Sequence, residues 1–426
     1  MRWLATTLPF RFLVAVLILY LHLLAIARLS KERFELEFSA PDAPPPTFVD
    51  VVRDLKPIAW DRLVVSRWDS QHYIELALRS YDQCKQPGEL KSDEFPDDDK
   101  RCQLNFFPTY GWISRFVANH TGWAIDWSML AVSMLSSVVF LMLMTSAPIT
   151  DAVGVGGAYL ALLLVNTFTS GFMLVTLHTE PLVLALVMGT FYCFVRRWLW
   201  AAALLAGAMS AVRITGLAGG VALGAGLFFL TLQERPRWYV WLWRGFYVLV
   251  SGWGIAALMA YYHHRFGDAL IYLHAHGRQY HHEASIAKIL SPDTRLLMQS
   301  IWAEPNDGIW LAGGLLWFAL GHREGLQRFD VAAQAFWYAL FFATVGVSMV
   351  GSSEYGYGGL ARYLICVPAL FFAMSKFLER RPLVLALWLY MSLAHYWGGS
   401  MCFYVANQRP DRFEKCGFAR HFTSEQ

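Results

Sequence analysis

The feature that most constrains this chain is a series of long apolar runs separated by short connections. An α-helix needs about 20 apolar residues to cross a bilayer, and many of these runs reach or approach that length. Hydrophobic residues make up 56% of the 426 residues and charged residues only 16%, which is unlike a soluble domain. We therefore expect an all-α polytopic membrane protein. The net charge of +3, spread along the chain without a basic patch, excludes nucleic acid as a partner.

The apolar runs predict about eleven transmembrane helices. The first run, residues 8–29, has no small-residue cleavage site after a short core, so we expect a retained anchor helix. The others are predicted at residues 123–144, 153–168, 181–195, 198–211, 216–232, 245–262, 309–320, 331–350, 363–377 and 383–404. Residues 105–118 fit an interfacial helix as well as a crossing, and residues 198–211 are short for a full crossing.

The basic residues of the short loops indicate orientation, because positive charge near helix ends is retained in the cytosol. They lie on alternate connections: Arg196 and Arg197, Arg235 and Arg237, Arg323 and Arg328, and Lys376, Arg380 and Arg381. This pattern predicts a cytosolic N-terminus and puts residues 30–103, 263–305 and 351–361 on the outer face. It divides the chain into an anchor helix (1–29), an outer loop with interfacial helices (30–122), a multi-helix transmembrane region (123–405) and a tail (406–426).

The long polar segment after the anchor helix must lie outside the bilayer. Residues 30–103 carry eleven Lys or Arg and sixteen Asp or Glu, half of the acidic residues of the chain. Cys84 and Cys102 also lie here. An oxidising lumen or periplasm would allow these two cysteines to pair, although two free thiols fit the sequence equally well.

The sharpest local signal in this segment is the run Arg67-Trp68-Asp69-Ser70-Gln71-His72-Tyr73, which opens a predicted amphipathic helix ending near residue 81. Helical spacing places Asp69, His72 and Tyr73 on one face and an apolar face elsewhere that could lie on the membrane surface. Helix-start chemistry also accounts for the pattern, because Asp69 is a good N-cap and Trp68 and Tyr73 take the positions of a hydrophobic staple. Capping does not require Arg67, so the residues alone leave a helix cap and a chemical site both open.

Further runs follow along the chain: Asn105-Phe106-Phe107-Pro108-Thr109-Tyr110, His178-Thr179-Glu180-Pro181, Ala211-Val212-Arg213-Ile214-Thr215-Gly216, Phe266-Gly267-Asp268 with Leu273-His274-Ala275, and Arg362-Tyr363. Together with residues 67–73, and in the same order, they resemble the motifs of the GPI mannosyltransferase 2 family and its bacterial relatives. The resemblance spans residues 60–377. It implies a GT-C glycosyltransferase that moves a sugar, mannose first among the candidates, from a polyprenyl-phosphate donor with inversion on the luminal or periplasmic side.

The resemblance implies roles for residues of the first outer loop, which becomes the expected catalytic loop. An inverting transfer needs a carboxylate to take the proton of the acceptor hydroxyl, and the family keeps its acidic catalytic residue in this loop. Asp69 is therefore the expected general base. Trp68 would stack on a sugar face, and Arg67, His72 and Tyr73 would contact the carboxylate or the sugar.

Residues further along the chain are expected to bind the substrates. Arg213 and Arg362 would hold the donor phosphate, because arginine matches phosphate geometry; each also fits an interfacial arginine that reaches lipid headgroups. Glu180 would partner the acceptor or an arginine, although an acid at a helix start also complements the helix dipole. Asp268 and His274 would contact substrate, with a simple turn role left open for Asp268.

The second outer loop also contains six of the thirteen histidines: His263, His264, His274, His276, His281 and His282. No cysteine or carboxylate joins them at a recognised metal-ligand spacing, so we expect no metal site and no required cofactor. A divalent ion remains the less favoured alternative. The family usually has Gln at the position of His276, which leaves the contacts of this loop open.

Two other classes of function remain compatible with the sequence. One is a noncatalytic subunit of a membrane glycosylation complex, and the other is a lipid or sugar transporter, although the two matching halves typical of many transporters are not seen. The enzyme would have as partners the lipid-linked sugar donor, a glycolipid, glycan or protein acceptor, membrane lipids and, as an open alternative, an auxiliary subunit. It would lie in a bacterial inner membrane facing the periplasm, or in the endoplasmic reticulum membrane facing the lumen.

Overall fold

A computed structural model describes residues 6–25, 70–82, 84, 104, 106–168, 170–279, 305–350 and 360–405. Within these residues every regular element is helical. The α-helices are α1 (Leu8–Ala25), α2 (Ser70–Arg79), α3 (Thr109–Thr121), α4 (Ile125–Met144), α5 (Ala147–Thr167), α6 (Glu180–Val195), α7 (Leu199–Val212), α8 (Leu217–Glu234), α9 (Trp238–Val250), α10 (Trp253–Phe266), α11 (Ile271–Gln279), α12 (Pro305–Glu324), α13 (Val331–Val350), α14 (Leu360–Leu364), α15 (Pro368–Glu379) and α16 (Pro382–Val405). Short 3₁₀ turns lie at Gly171–Val175, Ile214–Gly216 and Leu326–Arg328.

Four helices in the described ranges are long and apolar enough to cross a membrane: α1, α4, α5, and α8 together with its preceding 3₁₀ turn. The bent pair α9 and α10 would make a fifth. Outward side chains such as Leu13, Leu135 and Phe228 are apolar and exposed, which suits contact with lipid tails. The chain therefore has the features of an integral membrane protein.

Most predicted helices agree closely with the observed ones. The predicted helix 331–350 coincides with α13, and the helices predicted at 123–144, 181–195 and 383–404 agree with α4, α6 and α16 within two residues. Long apolar runs bounded by charged or turn residues are easy to recognise. Their side chains must be buried or face lipid, so the first polar residues on either side mark the helix ends.

The single helix predicted at residues 245–262 is wrong. Two helices, α9 and α10, meet there at a bend of 46°, with Ser251 and Gly252 between them. A close crossing accompanies the bend: the ring of Trp253 and the backbone at Gly254 both lie directly against Gly207 of α7. Small residues at a crossing let two helix backbones approach closely, and a side chain at Gly207 would meet the Trp253 ring.

The helix predicted at residues 363–377 is also interrupted. The chain leaves helical conformation after Leu364 and starts again at Pro368, the first residue of α15. Proline has no backbone N–H and restricts the residue before it, so it starts a helix more readily than it continues one. Helix α14 is thereby separated from α15, and it carries Arg362 at the end of the bundle.

The helices pack around one large apolar core, with a smaller one at one end. In the large core α8 lies along α13, while α7 packs against α6, α8 and α10. The smaller core holds α2 and α3 against Met129 of α4, Ala211 of α7 and Tyr262 of α10. The polar first loop is therefore attached to the membrane helices through its own apolar contacts.

Ion pairs mark the two ends of the bundle. At one end Arg197 lies 3.5 Å from Glu234, and Arg381 donates to Glu324 at 3.0 Å, so the basic connections after α6 and α15 form ion pairs with the last residues of α8 and α12. Helix α6 has 16 residues, which corresponds to about 24 Å at 1.5 Å per residue. Glu180, at the start of α6, therefore lies at the opposite end, and the charged site residues are found around it.

Candidate functional site

Helix α2 is fixed to the protein by the side chains of its apolar face. Ala77 and Tyr81 of this face are almost fully buried, as is Leu76 on the face of His72 and Tyr73, whereas Leu78 stays exposed. The backbone of α2 touches α3 at Gly111, where an added Cβ would lie 2.9 Å from the Ala77 nitrogen. Ala77 and Tyr81 of this face therefore pack within the chain, where α3 provides an apolar partner, and the contact of the face with the membrane surface stays a prediction.

The turn after α2 is fixed as well. The Tyr81 hydroxyl donates to the Phe106 carbonyl at 2.6 Å and lies 3.0 Å from the Tyr262 hydroxyl of α10. Burial raises the pKa of Tyr81 well above its ordinary value, so its proton is retained for this hydrogen bond. Cys84 is disulfide-bonded, which contradicts the free-thiol alternative for this residue. Its expected partner, Cys102, lies outside the described residues.

Three charged side chains meet at the start of α6. Glu180 is fully buried, and its Oε1 accepts hydrogen bonds from Nη1 of Arg213 and from Nε of Arg362. The two arginine side chains are 12% and 16% exposed. A buried carboxylate shared by two guanidinium groups keeps both cations in place while leaving the group of three with a net charge of +1. We call these three residues the outer ion cluster, after the face on which the sequence analysis expects them.

Local backbone structure aims Arg213 at this cluster. Helix α7 ends at Val212, and Arg213 takes an extended conformation before a 3₁₀ turn leads into α8. Gly216 in that turn lies directly against the Met209 carbonyl, where a side chain would not fit. The guanidinium of Arg213 also lies over the ring of Tyr363, 4.7 Å from its centroid, a cation–π contact.

The segment before α6 connects the outer ion cluster to the start of α2. Nδ1 of His178 lies 2.9 Å from the Thr176 hydroxyl and 3.4 Å from the Ser70 hydroxyl. The Tyr73 hydroxyl lies 3.5 Å from the Thr179 hydroxyl. All five side chains are buried. The first turn of α2 is thus held against the segment that leads into Glu180.

The structure brings together four of the residues expected from the sequence: Tyr73, Glu180, Arg213 and Arg362. The anticipated contact between Glu180 and an arginine is present, with two arginines instead of one. The interfacial alternative for Arg213 and Arg362 is contradicted, since both side chains point into a buried ion pair. His72 stacks on Phe106 with ring centroids 4.4 Å apart.

Three expected site residues, Arg67, Trp68 and Asp69, lie outside the described residues, as do His281 and His282 of the second outer loop. Their roles stay predictions.

Asp268 and His274 make contacts that belong to the start of α11. The Asp268 carboxylate accepts from the backbone N–H of Leu270 at 2.8 Å and lies 2.7 Å from Nδ1 of His274. Both side chains are well exposed, at 38% and 58%. These contacts are those of a helix-start residue, so the turn role left open for Asp268 is the one with structural support.

Three neighbours of the outer ion cluster were absent from the expected site: His178, Tyr272 and Tyr363. His178 and Tyr363 stand beside Glu180 and Arg362 in the sequence, so adjacency within the motifs was the signal for them. Tyr272 packs on Phe107 with ring centroids 4.6 Å apart and interacts electrostatically with Arg213. The sequence gives no signal for Tyr272, because its place depends on how α11 folds over the cluster.

The arrangement offers two oriented guanidinium groups, a helix N-terminus and a rim of aromatic side chains. Such a set can bind a phosphate and position a ring-shaped polar ligand. In the described part of the chain no group of three or more His, Cys, Asp or Glu side chains lies close enough to hold a metal ion. The expected independence from metal stays a prediction. Comparisons of the chain with family models, curated proteins and solved structures found no match.

Proposed function

We propose that this chain is a membrane glycosyltransferase of the GT-C type, with mannose as the favoured sugar. It takes a sugar from a polyprenyl-phosphate donor and transfers it with inversion to a glycolipid, glycan or protein acceptor. The observation that carries the proposal is the outer ion cluster beside Ser70, the first residue of α2. Asp69, the expected base, directly precedes Ser70 in the sequence.

The proposed reaction is a single displacement. The acceptor hydroxyl oxygen attacks the anomeric carbon of the donor sugar, and the carbon–oxygen bond to the phosphate breaks. The bonding electron pair leaves with the phosphate oxygen, and the hydroxyl proton passes to the Asp69 carboxylate. Arg213 and Arg362 stabilise the growing negative charge on the phosphate, which favours the transition state over the ground state.

Glu180 positions the two arginines in this proposal. Without the shared carboxylate, the two buried guanidinium groups would repel each other. Binding of the donor phosphate would then have to supply the free energy that brings them together. In the described residues Oε2 of Glu180 has no hydrogen-bond partner. A buried carboxylate oxygen in that state favours a ligand that donates, and a hydroxyl of the sugar or acceptor fits this need.

The proposal extends to topology. Eleven crossings result if α9 with α10, and α14 with α15, each count as one span and α6, α7, α12, α13 and α16 also cross. The outer ion cluster then faces the periplasm or the lumen. The disulfide at Cys84 supports this side, because disulfides persist in oxidising compartments.

Transfer of radiolabel from polyprenyl-phosphate-mannose by the purified protein tests the proposal. We expect label in a lipid, glycan or protein fraction with the parent and none with Asp69→Asn, at equal membrane insertion and thermal stability. Full retention of transfer by Asp69→Asn would remove Asp69 as the base. A large loss of stability in that variant would support the cap role instead.

The same assay separates the alternatives. If no sugar is transferred from the polyprenyl-phosphate donors of mannose, glucose or a pentose, the glycosyltransferase hypothesis is contradicted. The hypothesis of a noncatalytic subunit is then favoured. Activity lost to a chelator and restored by Mn²⁺ or Mg²⁺ would contradict the metal-independent reaction.

A further inference from the structure

The basic end of the bundle contains a charged cavity that the proposed reaction does not use. The cavity has a volume of about 310 Å³ and is lined by Arg323, Glu324, Arg328, Lys376 and Arg380. We call it the basic cavity. Its side chains come from the end of α12, the following 3₁₀ turn, the last turn of α15 and the connection to α16.

Cations outnumber carboxylates around the basic cavity. Four cationic residues and one carboxylate line it, which gives a net charge of +3. The carboxylate of Glu324 is engaged by Arg381, at 3.0 Å from Nη2 and 3.4 Å from Nη1. Like charges gathered around one cavity repel one another, and this repulsion is strongest at low salt. An anion in the cavity would relieve that repulsion.

Lys376 is held in place against the cavity wall. Its side chain is only 11% exposed and pairs with Glu379. Its Cδ also packs closely on Gly157 of α5, where an added Cβ on the glycine would lie only 2.9 Å away. A lysine that only marked membrane topology would extend into water, since that role needs positive charge near helix ends and no particular arrangement. The convergence of four cations from separate elements goes beyond this requirement.

The position of the cavity indicates the kind of anion. It lies where apolar helices end, on the side that the basic loops are expected to place in the cytosol. Basic pockets between membrane helices on that side are suited to anionic headgroups. We propose that the basic cavity binds the phosphate of an anionic phospholipid headgroup. This inference is independent of the proposed transfer reaction.

Lipid binding to the full-length protein in a neutral detergent tests the proposal. The probes are phosphatidylglycerol, phosphatidylcholine and inorganic phosphate, each followed by native mass spectrometry and by the shift in thermal unfolding. We expect phosphatidylglycerol to bind more tightly than phosphatidylcholine, with an affinity that falls as salt rises. Equal affinity for the two lipids would overturn the proposal. If inorganic phosphate binds as tightly as phosphatidylglycerol, the lipid source is rejected.

A matched pair of double variants localises the site. Arg323→Gln with Arg380→Gln removes two exposed cations from the cavity, and we expect phosphatidylglycerol affinity to fall about 25-fold, at about fivefold per cation. Arg235→Gln with Arg237→Gln makes the same charge change on exposed residues outside the cavity lining, and we expect less than a twofold effect. Equal losses in both variants would overturn the cavity as the site. If the first double variant does not stay monodisperse, the single Arg323→Gln replaces it, with about a fivefold loss expected.

Discussion

At the scale of single residues, Glu180 is the residue on which the outer ion cluster depends. It is fully buried and accepts from two arginines that belong to distant parts of the chain. Replacing Glu180 by Gln would leave two cations without their shared carboxylate. We expect the variant to lose about 3–5 kcal/mol of stability, which is the cost of breaking a buried pair, and to melt at a clearly lower temperature in detergent.

The control for this variant is Glu75→Gln. Glu75 lies on α2 and faces Arg79 at 3.9 Å in an exposed i,i+4 pair, with side chains 42% and 52% exposed. Exposed pairs of this kind contribute about 0.5 kcal/mol or less, so we expect almost no change in the melting temperature. Equal melting temperatures for the two variants would contradict the buried, shared role of Glu180.

The sequence predicted the members of the cluster better than their arrangement. Glu180, Arg213 and Arg362 were all expected at the site from motifs, and each falls in a recognisable context of helix end or turn. Their convergence on one carboxylate oxygen could not be predicted, because Glu180 and Arg362 lie 182 positions apart. Only the packing of α6, α7 and α14 brings them together.

At the scale of elements, the packing of α2 against α3 fixes the position of Ser70, the residue that follows the expected base Asp69 in the sequence. The backbones touch at Gly111, with no room for a Cβ beside Ala77. Gly111→Ala should push α2 away from the cluster and cost about 1–3 kcal/mol. Misplacing a catalytic group by even an ångström is expensive, so we expect transfer to fall by about tenfold or more while the protein still folds.

Gly245→Ala serves as the matched control. Gly245 lies inside α9, and an added Cβ there would meet nothing within 4 Å. Alanine favours helix over glycine, so we expect unchanged transfer and equal or slightly higher stability. If Gly111→Ala also leaves transfer unchanged, the packing of α2 against α3 does not control the activity.

Helices were predictable where turn residues bound an apolar run, and less so where a contact with a neighbouring helix interrupts the run. The ends of α13 follow from the sequence because its apolar run is bounded by turn residues. The break between α9 and α10 was missed, since Trp253 is apolar and continues the run, whereas its contact with Gly207 depends on a neighbouring helix. The apolar face of α2 was recognised, but its partner α3 was not.

At the scale of the whole molecule, the two charged ends predict a fixed orientation in the membrane. His120 on α3 and Arg237 before α9 are both exposed and lie on sides that the topology separates. We expect a membrane-impermeant maleimide to label His120→Cys in bacterial spheroplasts and to label Arg237→Cys only after the membrane is opened. The parent protein is the background control, because its described free thiols, Cys193 and Cys366, are buried. Labelling of both variants from the same side would contradict the orientation.

The helical membrane class was predictable from composition and run length, because a chain with this many apolar runs has few other ways to satisfy its backbone in lipid. The proposed side of the chemistry is a prediction from the spacing of Arg and Lys in the short loops. The sugar and the acceptor do not follow, since they depend on the shape of the surface around the outer ion cluster, which the motifs do not encode.

We propose that the outer ion cluster holds the phosphate of a lipid-linked sugar donor. The most direct measurement is the affinity of polyprenyl-phosphate-mannose for the purified parent and for Arg213→Ala, compared with the affinity of the acceptor for the same two proteins. We predict donor binding at least about tenfold weaker in the variant, since a hydrogen bond to a charged group contributes about 1.5–3 kcal/mol, with acceptor binding nearly unchanged. Equal donor affinity in the two proteins would show that Arg213 does not bind the donor phosphate.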